Sequence, residues 1–146
     1  MNGVLPDSAL SRIPGGRLAK GAPARSLIAM RYYIGRKTGV WIKPTGPNAS
    51  YRTLAKQQEF YAAYQAGKGP LAAKPGTSNH GLGLAVDVPS PAMQAQIRKY
   101  GHRFGFGIKG GRLPSDAPSE AWHVKYDGPY TLRARYWYRQ YRGQHG

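Results

Sequence analysis

A chain of 146 residues carrying 40% hydrophobic residues is long enough to bury one core, and 20 Gly with 12 Pro exclude a bundle of long uninterrupted helices. The absence of cysteine excludes disulfides, thiolate zinc sites and cysteine nucleophiles, so any metal must be held by imidazole and carboxylate. With 22 Lys and Arg against 6 Asp and Glu, the net charge of +16 predicts attraction to an anionic polymer.

Residues 1–22 hold scattered apolar positions among turn formers (Pro6, Asp7, Pro14, Gly15, Gly16) and read as an irregular lead-in. Leu27, Met30 and Ile34 recur at helical spacing over 23–37, with Pro23 suited to a first turn and Gly39 just past the end. Val40, Trp41 and Ile42 read as a short strand closed by Pro44 and Gly46. A second helix is expected over 54–66, capped by Thr53 and stopped at Gly67, with Leu54, Tyr61 and Tyr64 on one stripe. After a Gly, Pro and Ala loop over 67–79, Leu84, Val86 and Val88 alternate with Gly83, Ala85 and Asp87, the period of a strand.

Ser90 and Pro91 suit the cap and first position of a helix reaching Tyr100, where Gly101 stops it. Phe104 and Phe106 read as a short extended piece, 107–119 as a loop, and 121–126 as a strand. The basic aromatic tail, 127–146, fits two patterns. Leu132, Ala134, Tyr136 and Tyr138 alternate with arginines, whereas Leu132, Tyr136, Trp137 and Tyr141 fit a helix. No internal repeat or linker divides the chain, so a single α+β domain over 1–146 is expected, with a small antiparallel β-sheet flanked by helices. The longest early apolar run, 27–30, ends at Arg31, far short of a signal-peptide core of about 7 to 15 residues or a membrane span of about 20. The chain is therefore expected to be made without an export signal and to cross no membrane.

Only 4 His and 6 acidic residues are available for proton or metal chemistry. Four of them fall into two clusters: Ser78-Asn79-His80 running to Asp87, and Glu120-Ala121-Trp122-His123. A catalytic zinc takes three ligands of imidazole and carboxylate type, one open position, and a nearby base. His80, Asp87, His123 and Glu120 are a set of that composition. Glu120 and His123 stand three apart, which on an ideal strand places them on opposite faces, so a turn must intervene. His102, after a helix stop, and His145, in the tail, read as structural residues. A Trp at position 122 sits in a core more often than on a substrate platform.

The pattern Ser78-x-His80-x-x-Gly83-x-Ala85-x-Asp87 followed by Glu120-x-Trp122-His123 resembles the two zinc motifs of the LAS metallopeptidases. That family comprises D-alanyl-D-alanine carboxypeptidases and peptidoglycan-cutting bacteriophage endolysins. Tyr51-Arg52, with Gln57 downstream, resembles the family's arginine motif, and the likeness extends roughly over 25–126. The resemblance implies Zn²⁺ held by His80, Asp87 and His123, Glu120 as catalytic base, and Arg52 stabilising negative charge on substrate or transition state. Ser78, Gln57 and Trp122 are assigned with it to the substrate side. It also implies hydrolysis of a peptide bond in the peptidoglycan stem, by an endopeptidase or a carboxypeptidase, with a phage endolysin favoured and action on the wall after release from the host cytoplasm. Anionic wall polymers are the expected target of the basic surface, and a monomer is favoured. The rival readings are a nucleic-acid binder, carried by the Arg and Tyr rich tail, and a wall-binding module with structural zinc. The first leaves the His, Asp and Glu pattern unexplained, and Glu120 argues against the second.

Overall fold

The computed structural model describes residues 1–106 and 122–145. The lead-in is ordered into a hairpin, contrary to the reading from composition. Strand β1 (Leu10–Ile13) pairs antiparallel with β2 (Gly16–Ala19), Ile13 opposite Gly16, so Pro14 and Gly15 form a two-residue turn. Proline presets the first turn position, and Gly15 takes the second at φ 85°, a conformation that favours glycine. Leu10, Ile13 and Leu18 are buried, and this apolar face holds the hairpin on the domain.

Helix α1 (Ala22–Thr38) carries Leu27, Met30 and Ile34 into the core and ends on Gly39 in the left-handed conformation. The strand expected at 40–42 does not form. Ile42 is fully buried and its carbonyl accepts from Arg31, but no partner strand among the described residues completes a ladder. Trp41 instead lies on α1 at Gly35, where any Cβ would meet the indole. Helix α2 (Leu54–Gln65) begins where expected, the Thr53 hydroxyl accepting the Lys56 N–H. Its expected apolar stripe does not face the core: Gln57 is the one buried residue of α2, and Tyr64 is exposed.

Strand β3 (Ala85–Asp87) pairs antiparallel with β4 (His123–Lys125), and α3 (Pro91–Tyr100) starts at a Ser90 cap. Gly101–Phe104 is a 3-10 turn rather than an extended piece; it turns the chain so that Phe104 and Phe106 are both fully buried. The tail is helical. Helix α4 (Leu132–His145) lays Ala134, Trp137 and Tyr141 on α1, with Trp137 against Tyr32 and Tyr33 at ring separations of 6.2 and 5.2 Å. The contact with α1 decides between the two tail patterns, leaving Leu132 and Tyr136 exposed. The described residues thus form an α+β fold with two small antiparallel sheets and four α-helices. No described helix is long and apolar enough to cross a membrane. The expected loop at 107–119 lies outside the described residues.

Candidate metal centre

Register brings the first two site residues together. Asp87 stands directly opposite His123 in the β3–β4 ladder, and opposite residues of an antiparallel pair project to the same face about 4.5 to 5.5 Å apart at Cβ. The Asp87 backbone is held on its other side by the 45–49 segment, its N–H donating to Ala49 O at 2.7 Å and its carbonyl accepting from Thr45 N–H at 3.2 Å.

His80 arrives from a 3-10 turn at Asn79–Leu82. Ser78 starts this turn, its hydroxyl accepting the His80 N–H at 3.2 Å, and Gly83 ends it at φ 70°. Glycine is doubly required there, because a Cβ at Gly83 would also lie 2.7 Å from the Ala19 nitrogen of β2. The turn is thereby pressed against the N-terminal hairpin, and the Ala19 N–H donates to Gly83 O at 2.8 Å.

The His80 ring is oriented by a backbone carbonyl. Nδ1 lies 2.8 Å from Ser50 O, which assigns the proton to Nδ1 and leaves a lone pair on Nε2. Nε2 lies 3.1 Å from Asp87 Oδ1, and His123 Nδ1 lies 3.3 Å from the same oxygen. The ligand atoms of the three residues all fall within 4.8 Å of one another. A lone pair of Nε2 facing a carboxylate oxygen is repulsive unless a cation lies between them. Zinc arms of about 2.0 to 2.2 Å in a tetrahedron would place ligands about 3.3 to 3.6 Å apart, close to the 3.1 and 3.3 Å that separate the two histidine nitrogens from Asp87 Oδ1. The donor set fits a divalent metal of borderline softness. Without a metal, burial would push the Asp87 carboxyl up, but protons shared with it by the His123 and His80 rings outweigh burial and hold it well below the usual carboxylate range; a bound cation would take the place of those protons.

Arg52 borders this cluster. Its Nη2 lies 2.8 Å from Asn48 O and 3.4 Å from Asp87 Oδ2, and the guanidinium stacks over Phe60 at 4.8 Å. The arginine therefore takes one oxygen of Asp87 while the histidines face the other. Gln57 lies behind the site. Its Nε2 donates to Asn2 Oδ1 and Arg52 O, and its Oε1 accepts the Gly76 N–H, so the amide is spent inside the protein. Ser78 borders the cleft as well as capping the turn. Trp122 is exposed rather than in the core, and its carbonyl accepts from the N–H of Val88, the residue just after β3. Glu120 lies outside the described residues. His102 is exposed and apart from the cluster, and His145 is the last residue of α4.

Three contributors carried no readable sequence signal. Ser50 acts through its carbonyl; Asn2 bridges Gln57 and Ser78 O; and Asn79 buries an Nδ2 with no partner among the described residues. The cluster opens into a cleft of about 480 Å³. Its far wall is apolar, built from Phe60, Ala63, Pro70, Leu71 and the alanines 72 and 73, and Arg52 and Asn79 supply polar groups at its edge. A concave apolar site with a few convergent polar groups suits a short peptide with small side chains.

The model of a family described as VanY, D-alanyl-D-alanine carboxypeptidase, matches residues 36–129. No curated protein matches the chain at a significant level. Among solved structures, the chain is 27% identical to a mutant of the vancomycin-resistance D,D-pentapeptidase VanY from the VanB-type cassette, in complex with Zn(II), covering 93% of this chain and 88% of that one at a TM-score of 0.56. VanYB in complex with D-alanine-D-alanine is similar at 27% identity over 94% and 89% of the two chains, TM-score 0.56. The LD-carboxypeptidase LdcB, at 21% identity, 89% and 67% coverage and a TM-score of 0.60, shares the fold.

Proposed function

The chain belongs to the VanY family of D-alanyl-D-alanine carboxypeptidases, zinc peptidases of the LAS group, and we propose that it removes the terminal D-alanine from peptidoglycan stem peptides. The observation that carries this reading is the convergence of His80 Nε2, Asp87 Oδ1 and His123 Nδ1 at the mouth of a cleft with an apolar wall. Those three atoms are the proposed metal ligands. When bound, zinc supplies Lewis-acid polarisation of the scissile carbonyl and lowers the pKa of water from about 15.7 towards about 7.

The remaining steps fall to the chain's own groups. Ser50 O fixes the tautomer of His80, and Arg52 neutralises the outer oxygen of Asp87 while standing at the cleft edge. A guanidinium in that place can pair with the terminal carboxylate of a peptide, a group that only a chain end provides, and this supports exopeptidase rather than endopeptidase action. Glu120 is the proposed general base, taking a proton from the attacking water and returning it to the leaving amine. Ser78 and Asn79 offer polar atoms at the cleft edge, and Trp122 an exposed ring beside β4. Gln57 acts indirectly, by holding Arg52 and the 76–78 loop.

The same reading extends to a lytic role, as an endolysin released from the host cytoplasm onto the wall, with wall polymer attracted by the +16 charge. A synthetic stem pentapeptide ending in D-alanyl-D-alanine, followed by mass spectrometry, tests the activity. Loss of one alanine, stopped by a chelator and restored by zinc, is the expected result. An internal cut would reassign it as an endopeptidase, and an intact peptide would refute the peptidase reading. Clearing of purified cell walls tests the lytic role separately.

A further inference from the structure

A second concavity of about 490 Å³ lies between the start of α1 and the outer face of α4 and shares no residue with the catalytic cleft. Arg25, Arg135, Arg139 and Arg142 line it together with Tyr130 and Tyr138. All four arginines are exposed, and none takes part in the ion pairs found among the described residues. Four guanidiniums around one hollow repel each other, and Arg25 stands in the first turn of α1, where the helix dipole disfavours a cation. Ring contacts and, for Arg142, the C-terminal end of the α4 dipole favour individual arginines, but no carboxylate among the described residues balances their mutual repulsion; an anion in the hollow would.

The ring contacts narrow the class of anion. Arg135 stacks on Tyr130 at 4.8 Å, while Arg25 and Arg142 stack on Tyr138 at 5.3 and 6.0 Å. Stacking uses the face of a guanidinium and, apart from the Arg25 bond to the Tyr130 hydroxyl, leaves in-plane N–H donors for a tetrahedral oxyanion. Burial pushes the Tyr130 phenol up against the pull of Arg25 and Arg135, so its hydroxyl stays a neutral donor. Because these rings already carry cations, they make poor platforms for nucleobases, which argues against nucleic acid. A membrane-surface helix needs a free apolar face, and that of α4 is packed on α1 through Ala134, Trp137 and Tyr141.

We propose that this arginine pocket binds the phosphate of a phosphodiester-linked wall polymer and holds the enzyme on the wall independently of its cleft. The choice of a wall polymer rests on the peptidase reading above; the anion site itself rests on the pocket.

The test uses zinc-loaded full-length protein and poly(glycerol phosphate), titrated calorimetrically at about 0.15 M salt, where screening acts over about 8 Å. Arg25→Gln with Arg135→Gln and Arg139→Gln should weaken binding about tenfold or more, since charge-assisted contacts to the phosphate are lost. Arg12→Gln with Lys20→Gln and Lys43→Gln removes equal charge from exposed positions elsewhere and should weaken it no more than about twofold. Arg135→Lys with Arg139→Lys keeps the charge and guards against misfolding of the triple variant; losing the planar fork should still cost about threefold. Equal losses in the pocket and control variants would overturn the proposal. So would tighter pocket-dependent binding to phosphatidylglycerol vesicles or to a single-stranded DNA oligonucleotide than to the polymer. Hydrolysis of the soluble stem peptide should be the same in all of these proteins. If the wild type binds polymer in this pocket but cleaves no peptide, the peptidase reading fails and the anion site stands.

Discussion

The α1–α4 half and the metal half of the molecule are held together by different physics. In the first, large apolar and aromatic side chains (Leu27, Met30, Ile34, Phe104 and Trp137) interlock, and their burial supplies the stability. In the second, three-residue strands and a 3-10 turn carry buried polar groups, with the Ser50 carbonyl fixing the His80 imidazole and Asn2 and Gln57 tying Arg52 and the 76–78 loop through amide hydrogen bonds. The helical half should tolerate apolar side chains of similar volume, whereas the metal half depends on particular atoms. Mutations in the two halves should therefore fail in different measurements.

The largest effect should come from the ligands. Asp87→Ala or His123→Ala leaves two protein ligands, so bound zinc and peptide hydrolysis should fall to background together while helical circular dichroism persists. Glu120→Gln should be nearly as damaging to turnover, about 10² to 10⁴-fold, with zinc content near wild type. Loss of zinc in that variant would show that Glu120 is a ligand instead.

Phe104→Ala strikes the other half. It should cost about 3 to 5 kcal/mol by denaturant unfolding, with zinc affinity and kcat unchanged under folding conditions; a matching loss of zinc would erase the contrast between the halves. Gln57→Ala takes the donor from Asn2 Oδ1 and the acceptor from the Gly76 N–H and should cost about 1 to 3 kcal/mol with a smaller fall in kcat. Lys56→Ala breaks an exposed pair with Glu59 on α2 and should change stability by no more than about 0.5 kcal/mol, setting the baseline for both halves.

The metal half was the more legible from sequence, because its chemistry needs particular side chains. His80, Asp87 and His123 stood out with Glu120 as two clusters among few candidates, the resemblance to the LAS motifs gave them their roles, and strand alternation placed Asp87 on β3. What supports them was hidden, since the Ser50 carbonyl and the Asn2 bridge depend on where distant backbone lies. In the helical half, α1 and α3 followed from periodicity and capping residues. The tail could not be assigned until α1 offered a surface for Trp137 and Tyr141. The β1–β2 hairpin was legible in principle, since Ile13-Pro14-Gly15-Gly16 is a turn signal between apolar positions, yet the glycines and prolines around it masked the alternation. Val40 and Ile42 have strand character, but a strand needs a partner ladder, which no local pattern guarantees.

The central claim is that His80, Asp87 and His123 hold one catalytic zinc. Elemental analysis and stem-pentapeptide hydrolysis on the same samples of wild type and Asp87→Ala test it most directly. The account predicts one zinc per wild-type chain and release of D-alanine, with both lost in the variant. A wild-type protein that is fully active without metal, or an Asp87→Ala protein that keeps its zinc and its activity, would contradict it.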